Sequence, residues 1–323
     1  MIMNTIKLYC AGGAGINIGS YFSKRPDQDN SGQKAIISPV YIDTSKSNIG
    51  KAHSDENVYL IDGLDGSGKV RSENYEHIKS CVLDILQQHR PGDLNIVLSS
   101  ASGGSGSVIG PVLLGELIQR DVPAIVIVVG STDSRIELEN TIRTLKSYES
   151  ISQMRKTPIS AFYFQNTDKK PRKTVDADIH RAVDVLSVLF SGNNDELDSS
   201  DLKNWLKYTK VTSFEPHFCN MEFFADKVNL EKQHHAISVA TLCEAGGDST
   251  AGTIVEYQCV GVVKHVPDFK LPLHVVILTG AIDAVHKELT DSLKSIDESR
   301  QARIIKNTIL TDKDKPTNSG LVL

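Results

Sequence analysis

The chain has 323 residues, of which 40% are hydrophobic and 23% charged, and its formal net charge is -5. This length suffices for one large α/β domain or for two domains. The mild acidic balance argues against a surface that coats DNA or RNA, which would normally be basic. No apolar run approaches the length of a membrane span. The five cysteines are scattered without a CxxC pair, which predicts buried thiols in a reducing cytoplasm and argues against a metal cluster.

The amino-terminal segment predicts a strand at residues 5–10, without the charged region and apolar core of a signal peptide. A glycine-rich turn, AGGAGINIG at residues 11–19, follows and opens a helix. By itself this turn resembles the dinucleotide fingerprint, in which an acidic residue at the end of the next strand binds ribose. Asp43 has that position, so the turn alone also permits an NAD-dependent oxidoreductase.

A second flexible loop lies between a short predicted strand at 58–61 and an amphipathic helix at 75–89. Its sequence over residues 62–71 is DGLDGSGKVR, so it carries two cations, Lys69 and Arg71. Loops of this composition occur as plain surface turns and in binding sites. The sequence leaves both interpretations open.

A strand, a Gly/Ser loop and a helix follow one another over residues 94–120. Residues 94–98 are an apolar run typical of a buried strand, and apolar residues recur at helical spacing over 108–120. Between them the sequence SSASGGSGS combines small residues with hydroxyls. Glycines let backbone N–H groups approach an anion closely, and a helix N-terminus favours negative charge. The stretch therefore predicts a phosphate site, and a tight turn that binds no ligand is the alternative.

The rest of the chain alternates strands with helices and then becomes richer in strands. Residues 124–129 are almost wholly aliphatic, as in a parallel strand that is buried on both faces. Periodicity predicts further strands at 160–164, 214–224, 252–263 and 273–279, and helices after 133 and at 175–190, 203–208, 229–243 and 282–309. We place a domain boundary at the break 192–202, followed by a smaller mixed-sheet domain. The polar tail at 311–323 is expected to be disordered in an isolated monomer.

Four segments resemble, in order and spacing, the nucleotide loops of the tubulin/FtsZ superfamily. Residues 101–107, ASGGSGS, resemble its glycine-rich signature in a serine-for-threonine form, and we call them the signature loop. Residues 12–17, GGAGIN, resemble its first nucleotide loop, and residues 66–68, GSG, resemble its γ-phosphate-sensing loop. Residues 196–201, ELDSSD, resemble the acidic loop after the central helix, NxDxxD in bacterial cell-division tubulins.

Within the superfamily, residues 105–111 and the short length are most similar to the bacteriophage tubulins, with plasmid-segregation tubulins as the alternative. Two features depart from the family pattern. Glu196 stands where cell-division tubulins usually have Asn, so that position carries no argument. Phage tubulins also have a markedly acidic C-terminal tail that helps filament contacts, whereas here Asp312 and Asp314 are mixed with lysines. A tail contact in this chain would use other chemistry, such as the apolar end at 321–323.

The resemblance implies an α/β fold in four parts. A Rossmann-like parallel-sheet GTPase domain would occupy residues 1–173, and a central helix with the catalytic acidic loop 174–210. A smaller α+β activation domain with a mixed sheet would occupy 211–281. A long C-terminal helix with a flexible tail would end the chain at 282–323.

The resemblance also implies binding of GTP or GDP across the carboxyl ends of the strands, where open α/β sheets place their ligands. The implied phosphate contacts are Gly12, Gly13, Gly66, Ser67, Gly68, Gly103, Gly104, Ser105, Gly106 and Ser107. Asn17 would contact the guanosine, and Glu139 would accept hydrogen bonds from the ribose hydroxyls. Asn166 and Asp178 would contact the guanine edge, with Asp176 as the competitor of Asp178. Mg²⁺ would bridge phosphate oxygens and keep several waters, so no protein ligand to the metal is nominated.

Asp198 and Asp201 carry the implied catalysis. They lie three residues apart at a helix start, so they can face the same side, and alone they are simply helix carboxylates favoured by the dipole. The resemblance implies that they enter the nucleotide site of a neighbouring subunit, where they polarise or position the attacking water and help hold a metal. Assembly then activates hydrolysis. A head-to-tail contact does not close on itself and generates a cytoskeletal filament of this one chain, through residues 196–201 and the tail.

Similarity to the phage tubulins further implies a role in positioning phage DNA or the replication compartment in the host bacterial cytoplasm. Phage DNA or capsids are then indirect cargo, and no membrane partner is expected. Two other classes of function stay open. One is a structural relative that uses GTP only to fold or polymerise. The other, more distant, is the NAD-dependent oxidoreductase, for which no catalytic His or Tyr/Lys constellation is evident.

Overall fold

A computed structural model describes residues 4–23, 34–50, 53–233, 235–247, 249, 255–264 and 269–302. Within them the strands are β1 Thr5–Ala11, β2 Ile36–Asp43, β3 Val58–Leu60, β4 Leu94–Ser100, β5 Ala124–Ser131, β6 Ile159–Asn166, β7 Phe218–Phe224, β8 Ala236–Cys243, β9 Tyr257–Val262 and β10 Leu273–Leu278. The α-helices are α1 Gly12–Ser23, α2 Tyr75–Gln88, α3 Gly106–Gln119, α4 Arg135–Arg155, α5 Arg172–Leu189, α6 Ser199–Leu206, α7 Lys227–Glu231 and α8 Ala281–Ala302.

All of these strands belong to one sheet, in the order β3-β2-β1-β4-β5-β6-β7-β10-β8-β9. Every pairing from β3 to β7 is parallel, which confirms the predicted Rossmann-like part of the fold. β10 runs antiparallel to β7 and β8, and β8 pairs with β9 in parallel, so the carboxyl-terminal part is mixed, as expected. Its strands continue the same hydrogen-bonded sheet through a short β6–β7 contact. The division of the chain at residues 173, 210 and 281 stays a prediction.

Helices cover both faces of this sheet. One apolar cluster joins the sheet to α1, α5 and α6, and a second joins the opposite face to α2, α3, α4 and α8. β5 lies between the two, with Ile125 and Ile127 in the first cluster and Val126 and Val128 in the second. Because both faces of β5 are covered, its sequence is aliphatic throughout and does not alternate with polar residues.

The helix predicted at 229–243 is wrong. The chain there forms the short α7 and then β8, whose residues from 237 to 243 are all buried. β8 lies between β10 and β9, so the alternation that marks a half-buried strand is missing. Periodicity cannot distinguish such a short apolar run from a buried helix. The β-branched residues Ile237, Val239 and Thr241 are the sequence feature that favours a strand here.

The helix predicted at 282–309 is present as α8 up to Ala302. The rest of that prediction, with the tail at 311–323, lies outside the described residues. None of the helices among the residues described above is long and apolar enough to cross a membrane.

We predict that Gly19→Ala destabilises the fold through a steric conflict with Cys10. Gly19 is buried in α1, and a Cβ there would overlap Cys10 Sγ and lie 3.2 Å from Cys10 Cβ. Overpacking of this kind costs about 1–3 kcal/mol, against the ~1 kcal/mol that alanine gains over glycine in a helix. Urea unfolding of Gly19→Ala, Cys10→Ala and the double variant measures the conflict. The double variant should recover most of the loss, and strictly additive losses would contradict this account.

Candidate functional site

A cavity of about 480 Å³ lies at the carboxyl ends of β1, β2, β4, β5 and β6. Parallel strands direct their carboxyl ends to the same edge of the sheet, so the loops that follow them meet there. The lining includes most of the predicted nucleotide-site residues, namely Gly12, Gly13, Asn17, Gly66, Ser67, Gly68, Gly103, Gly104, Ser105, Gly106 and Asn166. Segments that are up to about half the chain apart in sequence therefore form one site.

The first nucleotide loop and the signature loop pack together without room for side chains. Gly12 starts α1 at φ +74°, a left-handed conformation that glycine adopts without strain. A Cβ on Gly12 would lie 2.8 Å from Gly106 N, and one on Gly106 would lie 2.8 Å from Ala11 O. Helices α1 and α3 therefore begin side by side at the cavity. Two adjacent helix N-termini favour the binding of an anion such as phosphate.

The loop at 62–71 packs against the signature loop from the other side. A Cβ on Gly104 would overlap Ser67 Oγ and lie 2.7 Å from Ser67 Cβ and 3.0 Å from Lys69 Cα. The hydroxyls of Ser105 and Ser67 are 3.4 Å apart, and those of Ser105 and Thr44 are 2.6 Å apart in a hydrogen bond. Glycine at position 104 is thus required for the two loops to approach this closely.

Helix α4 fixes both loops with polar side chains. Asn140 Nδ2 donates to Lys69 O at 2.9 Å and to Ser102 O at 3.1 Å, so one amide joins the two loops. Thr144 Oγ1 donates to Ala101 O at 2.9 Å. The sequence interpretation named neither Asn140 nor Thr144 as a site residue and missed these contacts. Both side chains are buried against the loops, and the sequence does not show this burial.

Arg71 and Ser107 stabilise the signature loop from outside the cavity. Arg71 Nη2 donates to Ser107 O at 3.1 Å and to Ser147 Oγ at 3.3 Å. Burial lowers the pKa of Arg71 to about 10, so the guanidinium stays charged at neutral pH. The buried Ser107 hydroxyl donates to Gly104 O at 3.0 Å and is absent from the cavity lining. The geometry therefore gives Ser107 a role in loop conformation, and its predicted phosphate contact stays a prediction.

Of the two nearby glutamates of α4, Glu137 lines the cavity and Glu139 does not. Glu137 Oε1 accepts from Lys69 Nζ at 2.7 Å, and Oε2 accepts from Ser131 Oγ at 3.2 Å. Burial alone would raise the pKa of Glu137, but the Lys69 ammonium and the serine hydroxyls together lower it. Glu139 instead pairs with two arginines on the outer side of the helix. The geometry favours Glu137 for the ribose role that the sequence interpretation gave to Glu139.

The far end of the cavity is formed by β6 and the start of α5. Asn166 ends β6, and its Oδ1 is buried with no hydrogen-bond partner among the described residues, as expected of a group that faces a ligand. Asp176 lines the cavity, and burial raises the pKa of its carboxyl group. Asp178 is absent from the lining and forms an ion pair with Lys170 at 2.6 Å. Between the two candidates for the base contact, the geometry favours Asp176 over Asp178.

Asp43, which the dinucleotide interpretation assigned to ribose, is a buried carboxylate of the cavity lining. Burial raises the pKa of Asp43, although Asn48 Nδ2 and Thr44 N each donate to it at 2.7 Å. In the described ranges, no group of three or more His, Cys, Asp or Glu side chains is arranged to hold a metal ion.

Asp198 and Asp201 lie outside the cavity, in a capping box at the start of α6. Asp198 Oδ1 accepts from Ser200 N at 2.7 Å and from Asp201 N at 2.9 Å, and Asp201 Oδ2 accepts from Asp198 N at 3.2 Å. These backbone donors lower the pKa of Asp198. Tyr257 Oη donates to Asp201 Oδ1 at 3.3 Å. The helix predicted at 203–208 therefore begins at Ser199, because its cap lies further upstream.

Helix α5 separates these acids from the cavity of their own chain. Arg172 and Asp176 line the cavity from the first turns of α5, and its 18 residues span about 27 Å. Just beyond the helix, Phe190 O accepts from Asn4 Nδ2 at 3.1 Å, next to the amino end of β1. The acidic loop and the cavity therefore lie at opposite ends of α5.

Residues 5–169, which hold all three glycine-rich loops of the cavity, match the model of the Tubulin/FtsZ family, GTPase domain. The chain belongs to the tubulin/FtsZ family. This tubulin/FtsZ protein is 28% identical over 321 residues to a phage tubulin-like protein of Pseudomonas phage PhiPA3, with 98% of each sequence covered. The predicted family is thereby confirmed, together with its similarity to phage tubulins.

Solved structures show the same relationship across the whole fold of the tubulin/FtsZ protein. A protofilament of TubZ from bacteriophage PhiKZ matches with a TM-score of 0.86 and 29% identity, covering 98% of this chain and 99% of that one. A GDP structure of the phage tubulin PhuZ matches with a TM-score of 0.87 and 26% identity, with the same coverage. The carboxyl-terminal strands and α8 are thus part of the shared fold, beyond the GTPase domain.

We predict that Gly104→Ala weakens nucleotide binding while the protein stays folded. The added methyl group forces Ser67 and Lys69 away from the signature loop, and overpacking of about 1–3 kcal/mol corresponds to at most a roughly 5- to 150-fold loss of affinity. Titration with a fluorescent guanine nucleotide measures the loss. Gly115→Ala in α3 is the matched control, because its Cβ would meet only Ile151 Cγ2, at 3.9 Å. Equal affinities of the two variants would contradict the proposed loop packing.

Proposed function

We propose that this chain is a GTPase that polymerises head-to-tail and hydrolyses GTP at the contact between subunits. The observation that carries the proposal is the position of Asp198 and Asp201 at the opposite end of α5 from the cavity. A molecule built in this way binds the nucleotide at one end of α5 and offers carboxylates at the other. The activity of the GTPase domain then depends on a neighbour.

The cavity supports binding of GTP through three groups of residues. The phosphates would lie on the signature loop, with Gly12 and Gly13 from the first nucleotide loop and residues 66–68 nearest the terminal phosphate. Asn17 and Glu137 would contact the nucleoside, and Asn166 with Asp176 would contact the guanine edge. The match of the GTPase domain favours GTP over the NAD of the oxidoreductase alternative.

Mg²⁺ fits this site as an ion that would bind together with the phosphates. It would neutralise phosphate charge while keeping several waters, as it does where a protein supplies few ligands. Asp43 is a buried carboxylate of the lining, and its neighbour Thr44 is hydrogen-bonded to Ser105 of the signature loop, so Asp43 is well placed to hold those waters.

The two acids are suited to act on the nucleotide of a neighbour. Asp198 is exposed, and the backbone donors that lower its pKa keep it ionised at neutral pH. Asp201 is oriented by the Tyr257 hydroxyl and by Asp198 N. Two fixed carboxylates can accept hydrogen bonds from a water and orient it toward a phosphate, and hydrolysis of GTP depends chiefly on such positioning.

A contact between the cavity edge of one molecule and the acidic loop of the next joins two different surfaces, so repetition generates a filament. The phage relatives include a protofilament and a filament, which supports self-assembly of this chain as well. We extend the proposal to cytoplasmic filaments that position phage DNA or the replication compartment in an infected bacterium. A plasmid-segregation filament is the alternative, and a contact through the tail stays a prediction.

Asp198→Asn and Asp201→Asn should each retain GTP binding and assembly but reduce turnover by about 100-fold or more, in the range of a lost positioning group. An asparagine oxygen can accept the same capping hydrogen bonds, so α6 should remain intact while the charge is lost. Phosphate release measured alongside light scattering, with GTP, GDP and a non-hydrolysable analogue, separates turnover from assembly. The variant filaments should disassemble more slowly than those of the wild type.

The matched control is Asp226→Asn, the same substitution at the capping residue of α7, where Asp226 Oδ1 accepts from Asn229 N at 2.8 Å. It should turn over GTP at nearly the wild-type rate. If both single variants, Asp198→Asn and Asp201→Asn, hydrolysed GTP at the wild-type rate, the catalytic role of the acidic loop would be refuted.

Turnover per molecule should rise steeply with protein concentration, because each complete site needs two chains. Phosphate release measured from dilute to concentrated protein tests this directly. A rate per molecule that is constant in an unassociated preparation would contradict assembly activation. Filaments without phosphate release would instead favour the non-hydrolysing structural protein.

A further inference from the structure

The two cations of the loop at 62–71 have different surroundings. Arg71 is directed away from the cavity, toward Ser107 O and Ser147 Oγ. Lys69 lines the cavity, and its Nζ lies 2.7 Å from Glu137 Oε1. The Lys69 side chain is 49% exposed, whereas that of Glu137 is 12% exposed. Arg71 is thus a half-buried structural cation, and Lys69 is a solvated cation beside the phosphate loops.

The backbone of Lys69 is fixed although its side chain is exposed. Its carbonyl oxygen accepts from Asn140 Nδ2, and its Cα packs against Gly104 of the signature loop. Its φ is +67°, a left-handed conformation that glycine adopts most easily and that a lysine adopts seldom. The backbone geometry at this position therefore does not by itself favour a lysine.

The charges of the lining indicate what the lysine does. The carboxylates of the lining are Asp43, Glu137 and Asp176, and its cations are Lys69 and Arg172. Arg172 lies at the start of α5, on the side of Asp176, and its side chain is 75% exposed. Of the cations that line the described cavity, Lys69 is thus the one on a phosphate loop. A polyphosphate in this cavity would meet negative charge from Glu137 unless Lys69 balanced it.

We propose that Lys69 distinguishes GTP from GDP by exchanging Glu137 for the terminal phosphate. The inference rests on the proposed function and assigns a specificity-determining residue to the same site. A lysine carries a compact charge on a flexible four-carbon stem, so its ammonium can change partners while the backbone stays fixed. Charge-assisted hydrogen bonds to phosphate are strong, which favours the exchange when the terminal phosphate is present. With GDP, Lys69 remains on Glu137.

Affinities of the unassembled protein for GTP and GDP test this exchange. Fluorescent derivatives of both nucleotides are titrated into wild type, Lys69→Met and Lys69→Arg below the concentration at which light scattering rises. Lys69→Met should lose about 10-fold in GTP affinity, equivalent to 1.4 kcal/mol, and keep its GDP affinity within about twofold. Lys69→Arg retains a cation and should restore a large part of the preference for GTP.

Lys79→Met is the matched control, because Lys79 is an exposed lysine of α2 that is absent from the cavity lining. Its GTP and GDP affinities should equal those of the wild type. Glu137→Gln gives a second measurement that does not depend on the stability of the Lys69 variants. Removing the charge that competes for Lys69 should increase the ratio of GTP affinity to GDP affinity several-fold.

The possible failures are distinguishable. Equal losses of GTP and GDP affinity in Lys69→Met, or an unchanged ratio in Glu137→Gln, would show that Lys69 only supports the loop and would overturn this inference. A wild-type protein that binds neither nucleotide would overturn the proposed function itself.

Discussion

The β6–α5 connection is the constraint on which the chemistry of this chain depends. A parallel strand ends at the cavity edge of the sheet, and the following helix returns the chain to the amino edge. α5 is anchored in this direction by buried residues along its length, among them Val183 and Leu186. Between Asp176, which lines the cavity, and its end at Leu189, α5 rises about 20 Å. Beyond the helix, Asp195 exchanges two backbone hydrogen bonds with Val262, which hold the segment before the acidic loop in place. The fold itself separates the cavity from these carboxylates.

Helix α4 organises the cavity more than any single loop does. Glu137, Asn140 and Thr144 contact the loop at 62–71, the signature loop or both. On its outer side, Arg135 forms a double hydrogen bond with Asp297 of α8, at 2.6 and 3.1 Å. This ion pair is exposed, so it positions the two helices more than it stabilises them. A contiguous chain of contacts thus connects the phosphate side of the cavity with the helix that precedes the tail.

The sequence predicted those features that local chemistry determines. The glycine-rich loops, the strands before them and the helices after them follow from glycine content and apolar periodicity, and the structure places them as expected. The errors arise where burial determines the secondary structure or the direction of a side chain. β8 is covered on both faces and loses its alternation, so it resembled a helix. Glu137 of α4 faces the cavity and Glu139 does not. Lys69 lines the cavity from the loop at 62–71, whereas Arg71 of the same loop is directed away from it. Sequence spacing does not show where the cavity is, so it could not distinguish the members of either pair.

The capping box of α6 shows how a structural and a catalytic interpretation of the same carboxylates can both hold. Taken alone, Asp198 and Asp201 satisfy the first N–H groups of a helix, and the helix buries Trp205 and Leu206 in the core. The same hydrogen bonds lower the pKa of Asp198 and fix the direction of both side chains at the surface. A carboxylate that acts on a neighbour needs these two properties, charge at neutral pH and a fixed orientation, before the neighbour arrives. The cap therefore preorganises the acids, and their stabilising role is compatible with the proposed role toward a second chain.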